Sequence, residues 1–239
     1  MLKRLERLLI TFTKFVFGNM PFLRKIEISI RFRRVYKNNF RKIKFLGQYF
    51  QDMIAFLYLQ KKNNGFYIDV GANDGITGSN TFVFEQIGWK GVCIEPHPDI
   101  YKKLIKYRKC DCFNAALSNN TNEDVDFFKA NALSCLNEGM TESHKQRAEK
   151  NEKTEIIKVK TITFDKIMEN YPNVKHIDFI SLDVEGHEIQ ILENINFQKY
   201  SFGFFTIEKS NPEKIKEIMQ KNGYILFMEI GADIMFIPG

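Results

Sequence analysis

The chain of 239 residues has little of several things, and each shortage narrows the reading. It holds four cysteines and four histidines, with no C-x-x-C pair and no histidine at metal-ligand spacing from a cysteine, which leaves no pattern for a structural zinc. It has no long apolar run. The most apolar stretch near the start, Leu8, Leu9, Ile10, Phe12, Phe15, Val16 and Phe17, is broken by Lys14, and about ten residues cannot span a bilayer. No small-residue cleavage site follows that stretch and the next residues are again basic, which argues against a secretory leader. There is no G-x-G-x-x-G, no internal repeat and no low-complexity tract.

What is present is an ordinary core-forming composition. Hydrophobic residues make up 44% and aromatics 14%, with 23 Phe, which excludes a disordered chain and suits one α/β domain plus an appendage. Cys93 and Cys112 lie in apolar runs and read as buried thiols, the expectation for a reducing cytoplasm. Charge is unevenly spread: residues 1–44 carry 13 Lys and Arg against Glu6 and Glu27, and the remainder holds 22 basic against 27 acidic residues. Such asymmetry points to docking on an anionic surface. Residues 1–60 are therefore expected to form a basic, amphipathic helical extension, either lying on anionic lipid through residues 1–44 or packed on the domain at 61–239. No recognised RNA-binding module accompanies the basic segment, and no nucleic-acid partner is expected.

The most informative run is Phe66-Tyr67-Ile68-Asp69-Val70-Gly71-Ala72-Asn73-Asp74-Gly75. It reads as a strand apolar on both faces, as in a parallel sheet covered by helices, ending on an acid and a glycine turn. Gly71 and Gly75 allow backbone conformations closed to other residues and let a ligand approach the main chain. After a helix expected around Ser79 to Gln86, a second apolar strand ends at Glu95, 24 residues beyond Gly71. A carboxylate at the end of the second strand, about 20 residues past the glycines, is placed to accept both hydroxyls of a ribose, which NAD and S-adenosylmethionine share. The glycine spacing here is G-x-x-x-G. With Asp69 and Asp74 flanking the turn, a diphosphate meets like charge while a sulfonium and an ammonium meet attraction, which favours the methyl donor.

Four blocks together resemble the FkbM-type methyltransferases, a branch of the class I S-adenosylmethionine-dependent enzymes. They are Ile68-Asp69-Val70-Gly71-Ala72-Asn73-x-Gly75, Ile94-Glu95-Pro96-x-Pro98, Asn114-Ala115-Ala116-Leu117-Ser118 and Leu182-Asp183-Val184-Glu185-Gly186-His187-Glu188. The resemblance covers roughly residues 45–239 and implies a Rossmann-like class I fold: a mostly parallel seven-stranded sheet with an antiparallel C-terminal hairpin. It implies an O-methyltransferase acting on sugars or small hydroxylated products. Asp69, Gly71, Asn73, Gly75 and Glu95 are the expected cofactor residues, with Ala116 and Leu117 at the adenine pocket. Asp183, Glu185 and His187 are the catalytic candidates, and no metal is assigned. Asp183 stands at the tip of strand four, Ile177–Leu182, where ligands bind in open α/β sheets; His187 has the unperturbed pKa nearest the working range for removing a hydroxyl proton. Glu188 reads as favourable charge in the first turn of the following helix.

Strand three is expected over Cys112–Leu117, further strands over Val125–Phe128 and Glu155–Ile162, and a substrate-side lid over Glu138–Lys153. A fifth strand, Phe202–Ile207, is to end at Glu208, followed by a helix from Pro212 to about Asn222 and a hairpin about Gly231-Ala232. The expected location is the cytoplasm, peripheral at the inner membrane surface if residues 1–44 dock on lipid. A cofactor fold that has lost catalysis and docks on membrane or nucleic acid is the alternative of a different class, and a dehydrogenase is the third.

Overall fold

In the computed structural model the described residues are 43–59, 63–129, 135–136 and 155–239. The basic extension, but for its last residues, and the stretch Glu138–Lys153 expected as a lid lie outside them. Residues Phe45–Gly239 form one compact unit. Among the described residues no helix is long and apolar enough to cross a membrane.

At its centre β1 (Phe66–Val70) is buried along its whole length. It pairs in parallel with β2 (Lys90–Ile94) on one side and β9 (Phe179–Leu182) on the other. With β3 (Asp111–Phe113), β11 (Phe205–Glu208), β12 (Tyr224–Ile230) and β13 (Asp233–Pro238) these make a seven-stranded sheet of order β12-β13-β11-β9-β1-β2-β3. Only β13 runs against the rest, pairing antiparallel with both β11 and β12 in the closing hairpin. The parallel strands therefore all end at one edge, and the strand order turns at β1, the position that opens a crevice in such sheets.

Helices cover both faces because the strands between them are apolar on both sides. Ile68, Ile180, Leu182, Ile207 and Phe236 join Ile191, Leu192, Ile215 and Met219 in one cluster. The residues from the helices lie in α5 (Glu188–Asn194) and α6 (Pro212–Lys221). Asn211 caps α6 by accepting from the Lys214 amide, with Pro212 in the first turn, an arrangement worth about 1 kcal/mol. On the other face, α1 (Gln51–Leu59) sets Phe56 against Phe84, and Tyr58 against Phe204 and Phe227.

Three expected strands are broken where a polar side chain captures backbone. The run Cys112–Leu117 divides into β3 and β4 (Ala116–Leu117), because the Asn114 amide donates to the Glu95 and Pro96 carbonyls and bends the chain out of the main sheet. β4 joins a second sheet of order β4-β7-β5-β6, in which β5 is Asp124–Lys129, β6 Cys135–Leu136 and β7 Glu155–Ile162. The run 177–182 divides into β8 (His176–Ile177) and β9, because the Asp178 carboxylate accepts from the Phe66 amide. Residues 202–207 divide where the Phe202 amide donates to the Tyr224 hydroxyl, β10 (Ser201–Phe202) pairing with β8 while β11 stays in the main sheet. The helix expected from Ser79 is α2 (Phe82–Gln86), since the Ser79 hydroxyl accepts from the Thr81 and Phe82 amides and ends a turn there. In α3 (Pro98–Tyr107), Leu104 is buried while Tyr107 is 56% exposed.

Candidate active site

A cavity of about 240 Å³ opens where the parallel strands end, lined by residues from the tips of β1, β2 and β9, the Thr77–Asn80 turn, Ala115–Leu117, and Phe127 of β5. Asp69, Gly71, Asn73, Glu95, Ala116, Leu117, Asp183, Glu185 and His187 all reach its wall, so residues dispersed over more than a hundred positions converge on one space. Gly75 does not line it. Its φ is +80°, and a Cβ there would stand 2.5 Å from Arg108 Cγ and 2.7 Å from Leu104 Cδ1, so its smallness serves packing behind the turn.

Gly71 is required by a different contact. Its φ is +80° and a Cβ would fall 1.7 Å from the Asp183 carbonyl oxygen, so the β1 and β9 tips approach as closely as backbone allows. Asn73 follows with φ +50°, and its amide donates to Glu95 Oε2 at 2.9 Å. Glu95 Oε1 accepts from the His97 amide at 2.8 Å. Each carboxylate oxygen thus keeps acceptor capacity beyond one backbone bond. Burial drives the Glu95 pKa up to about 7, against the pull of those two amides.

Asp69 is committed elsewhere. Its carboxylate accepts from the Thr81 hydroxyl and lies 3.5 Å from Arg108 Nη1. Burial raises its pKa while Arg108 and Thr81 oppose the rise. Asp74, expected to flank the ligand with negative charge, instead turns back to accept from the Ile76 and Thr77 amides and is absent from the cavity wall.

Across the cavity the D-V-E-G block forms a strained turn, with Glu185 at φ +56° and Gly186 at +110°. Glu188, fully buried, holds this turn: its Oε1 accepts from the Val184 and Gly186 amides at 3.0 and 3.2 Å. Asp183, Glu185 and Glu208 bring carboxylate oxygens within 4.8 Å of one another. Asp183 is open to the cavity though hemmed in by protein, and burial followed by repulsion from Glu185 raises its pKa to about 8. Glu208 rises to about 9 by burial and then the Asp183 charge. Carboxylates at this spacing share protons or bind a hard cation, and either relieves their repulsion.

Residues 69–226 match the Methyltransferase FkbM domain. The chain belongs to the FkbM methyltransferase family. As a member it is an S-adenosylmethionine-dependent methyltransferase, and the cavity suits that donor: a buried carboxylate at the end of the second strand, a glycine that clears the first, and acidic walls for a cation. No curated protein matches the sequence. Among solved structures it is similar to a precorrin-6y C5,15-methyltransferase from Geobacter metallireducens at 10% identity and TM-score 0.40, covering 78% of this chain and 85% of that one. It is also similar to a ribosomal protein L11 methylase from Lactobacillus delbrueckii subsp. bulgaricus at 10% identity and TM-score 0.42, covering 78% and 74%. A methyltransferase from Geobacter sulfurreducens matches at 9% identity and TM-score 0.41, with 95% of both chains covered.

Sequence reasoning passed over Arg108, which this FkbM-family member buries with its side chain fully shielded. Its Nε donates to Glu85, Nη1 to the Gly75 carbonyl and Ser79, and Nη2 to Tyr67 and Thr81, which engages all five guanidinium protons. In the sequence it stands in Lys106-Tyr107-Arg108-Lys109, indistinguishable from a solvated basic end of a helix.

Proposed function

We propose that this enzyme methylates a hydroxyl oxygen on a sugar or small natural product, with Asp183 receiving the hydroxyl proton. The observation that carries the reading is the carboxylate group at the tips of β9 and β11, with Asp183 opening into the same cavity as Glu95. A hydroxyl is a weak nucleophile, and a base whose pKa lies near the working pH contributes most to activating it. With its pKa at about 8, Asp183 meets that condition better than an ordinary carboxylate. Glu208, pushed higher still to about 9, keeps its proton to higher pH, so Asp183 is the first of the two to ionise and become able to accept the hydroxyl proton as pH rises towards 8. Glu185 and His187 flank the opening and orient the acceptor.

S-adenosylmethionine, when bound, supplies an electrophilic methyl group on a sulfonium sulfur. Glu95 would receive the ribose hydroxyls, Gly71 and Asn73 would present backbone to the donor, and Ala116 and Leu117 would form the adenine wall. The protein's remaining task is alignment of the acceptor oxygen.

The test uses methyl-labelled S-adenosylmethionine with a panel of hydroxylated sugars and natural products, the label being located by NMR. Label on oxygen supports the reading; label only on nitrogen or carbon acceptors overturns it. Asp183→Asn is expected to lower kcat by about 10²- to 10⁴-fold with donor affinity retained, and an unchanged kcat would remove Asp183 as the base.

A further inference from the structure

Cys93, Cys110 and Cys112 bring their sulfurs within 4.8 Å of one another, outside the cavity and unused by the methyl transfer. Cys93 is fully buried, while Cys110 and Cys112 are half-buried. Cys110 Sγ lies 3.4 Å from Cys93 Sγ. Asp69, Cys93 and Cys112 occupy one register row across β1, β2 and β3, so all three side chains leave the same face of the sheet. On that face Arg108 sits two residues before Cys110 and holds the Asp69 carboxylate.

We propose that Cys110 and Cys93 form a peroxide-sensitive thiol pair whose disulfide weakens binding of the methyl donor. Cys110 is the partner an oxidant can reach. Its thiol reacts with a peroxide, ROOH, to give the Cys110 sulfenic acid and ROH. The Cys93 sulfur then attacks the Cys110 sulfur; the S–S bond forms, the S–O bond breaks, and hydroxide leaves with the Cys93 proton as water. Closing the pair from 3.4 Å to about 2.05 Å draws residue 110 inward beneath Arg108. That movement disturbs the Arg108–Asp69 contact at the floor of the cavity. Burial above all holds the Cys93 thiol above its ordinary range, and the contact with Cys112 above all does so for Cys110; the neighbouring guanidinium opposes both rises. Three sulfurs alone do not complete a tetrahedral zinc site, which needs four ligands, and the short Sγ–Sγ contact suits a bond between two of them.

The experiment uses the full chain carrying Cys135→Ser, so that only these three cysteines remain, treated with hydrogen peroxide and mapped by non-reducing peptide mass spectrometry. A Cys93–Cys110 linked peptide, reversed by dithiothreitol, is expected. A link confined to another pair, oxidation to sulfinic acid without a link, or stoichiometric zinc that blocks oxidation would each overturn the assignment. Calorimetric titration with S-adenosylmethionine should show affinity lowered about tenfold, the equivalent of one weakened charged hydrogen bond, and regained on reduction. A disulfide with unchanged affinity would overturn the coupling to the donor site. Cys110→Ser and Cys110→Ala should bind the donor normally and be indifferent to peroxide; a peroxide effect that persists in both would refute the pair.

Discussion

Replacing Glu95 by Gln separates what this carboxylate does for the cavity from what it does for the donor. In the wild type its two oxygens accept from the Asn73 and His97 amides. An amide side chain turns an NH₂ towards one of those donors and leaves it unsatisfied, which costs about 1–3 kcal/mol of stability. For a domain of this size that lowers Tm by roughly 2–4 °C per kcal/mol. Binding suffers separately: two hydroxyl bonds to a carboxylate contribute about 1.5–3 kcal/mol each, and Gln keeps one as a neutral bond. A loss of about 2–4 kcal/mol, roughly 30- to 1,000-fold in Kd, is therefore expected for S-adenosylmethionine. The pH dependence gives a second readout. Because burial raises the Glu95 pKa from 4.5 to about 7, the wild type should bind more weakly as pH falls below 7, while the variant loses that dependence. Stability runs the other way: the folded state holds the extra proton between 4.5 and about 7, so this group's contribution declines as pH rises through that window. Calorimetry and thermal melts from pH 5 to 8 measure both. A Glu95→Gln protein that stays folded and binds within threefold of wild type at every pH would refute the placement of the ribose on Glu95.

The rate of transfer should climb with pH up to about 8 as Asp183 loses its proton, and a profile flat from pH 6 to 9 would contradict it. Arg108→Met strands the buried carboxylate of Asp69 and the half-buried one of Glu85 and should cost about 3–5 kcal/mol in urea unfolding; a cost below about 1 kcal/mol would mean the pairs are dispensable. Gly71→Ala forces a Cβ to within 1.7 Å of the Asp183 carbonyl and should either unfold the chain or abolish donor binding. Gly223→Ala, with φ +84° but open space around it, should cost only the backbone strain of about 1–2 kcal/mol, so equal melting temperatures for the two variants would defeat the steric argument.

The central strands were legible in the sequence because an apolar run ending on an acid recurs, at Asp69, Glu95, Asp183 and Glu208, at intervals that a strand–helix unit imposes. Asp69, Gly71, Glu95 and Asp183 could be placed at strand tips on that pattern alone. Three other features were not. Where strands break depends on Asn114 and Asp178 capturing carbonyls and amides that are distant in sequence or out of register, a competition that local propensity does not contain. Arg108 gives no local sign of burial, because its partners come from β1, the turn after it and α2. The meeting of Cys93 with Cys110 and Cys112 follows from strand register rather than spacing, so a search for C-x-x-C passes over it.

The same register changes where the attraction for a cationic donor originates. On sequence grounds Asp69 and Asp74 supplied it. In the fold Asp69 is balanced by Arg108 and Asp74 is folded back into its own turn, so the negative field of the cavity falls to Glu95 and the group of Asp183 and Glu185. Two of these have pKa values of about 7 and 8, which makes the field itself pH-dependent. S-adenosylhomocysteine lacks the sulfonium charge but keeps the ribose, so the ratio of its Kd to that of S-adenosylmethionine isolates the charge term. That ratio should grow between pH 6 and 9 as the carboxylates ionise, by up to about tenfold if one unit charge near the sulfur is worth ~1.4 kcal/mol. A ratio constant over this range would refute Glu95 and Asp183 as the source of that attraction.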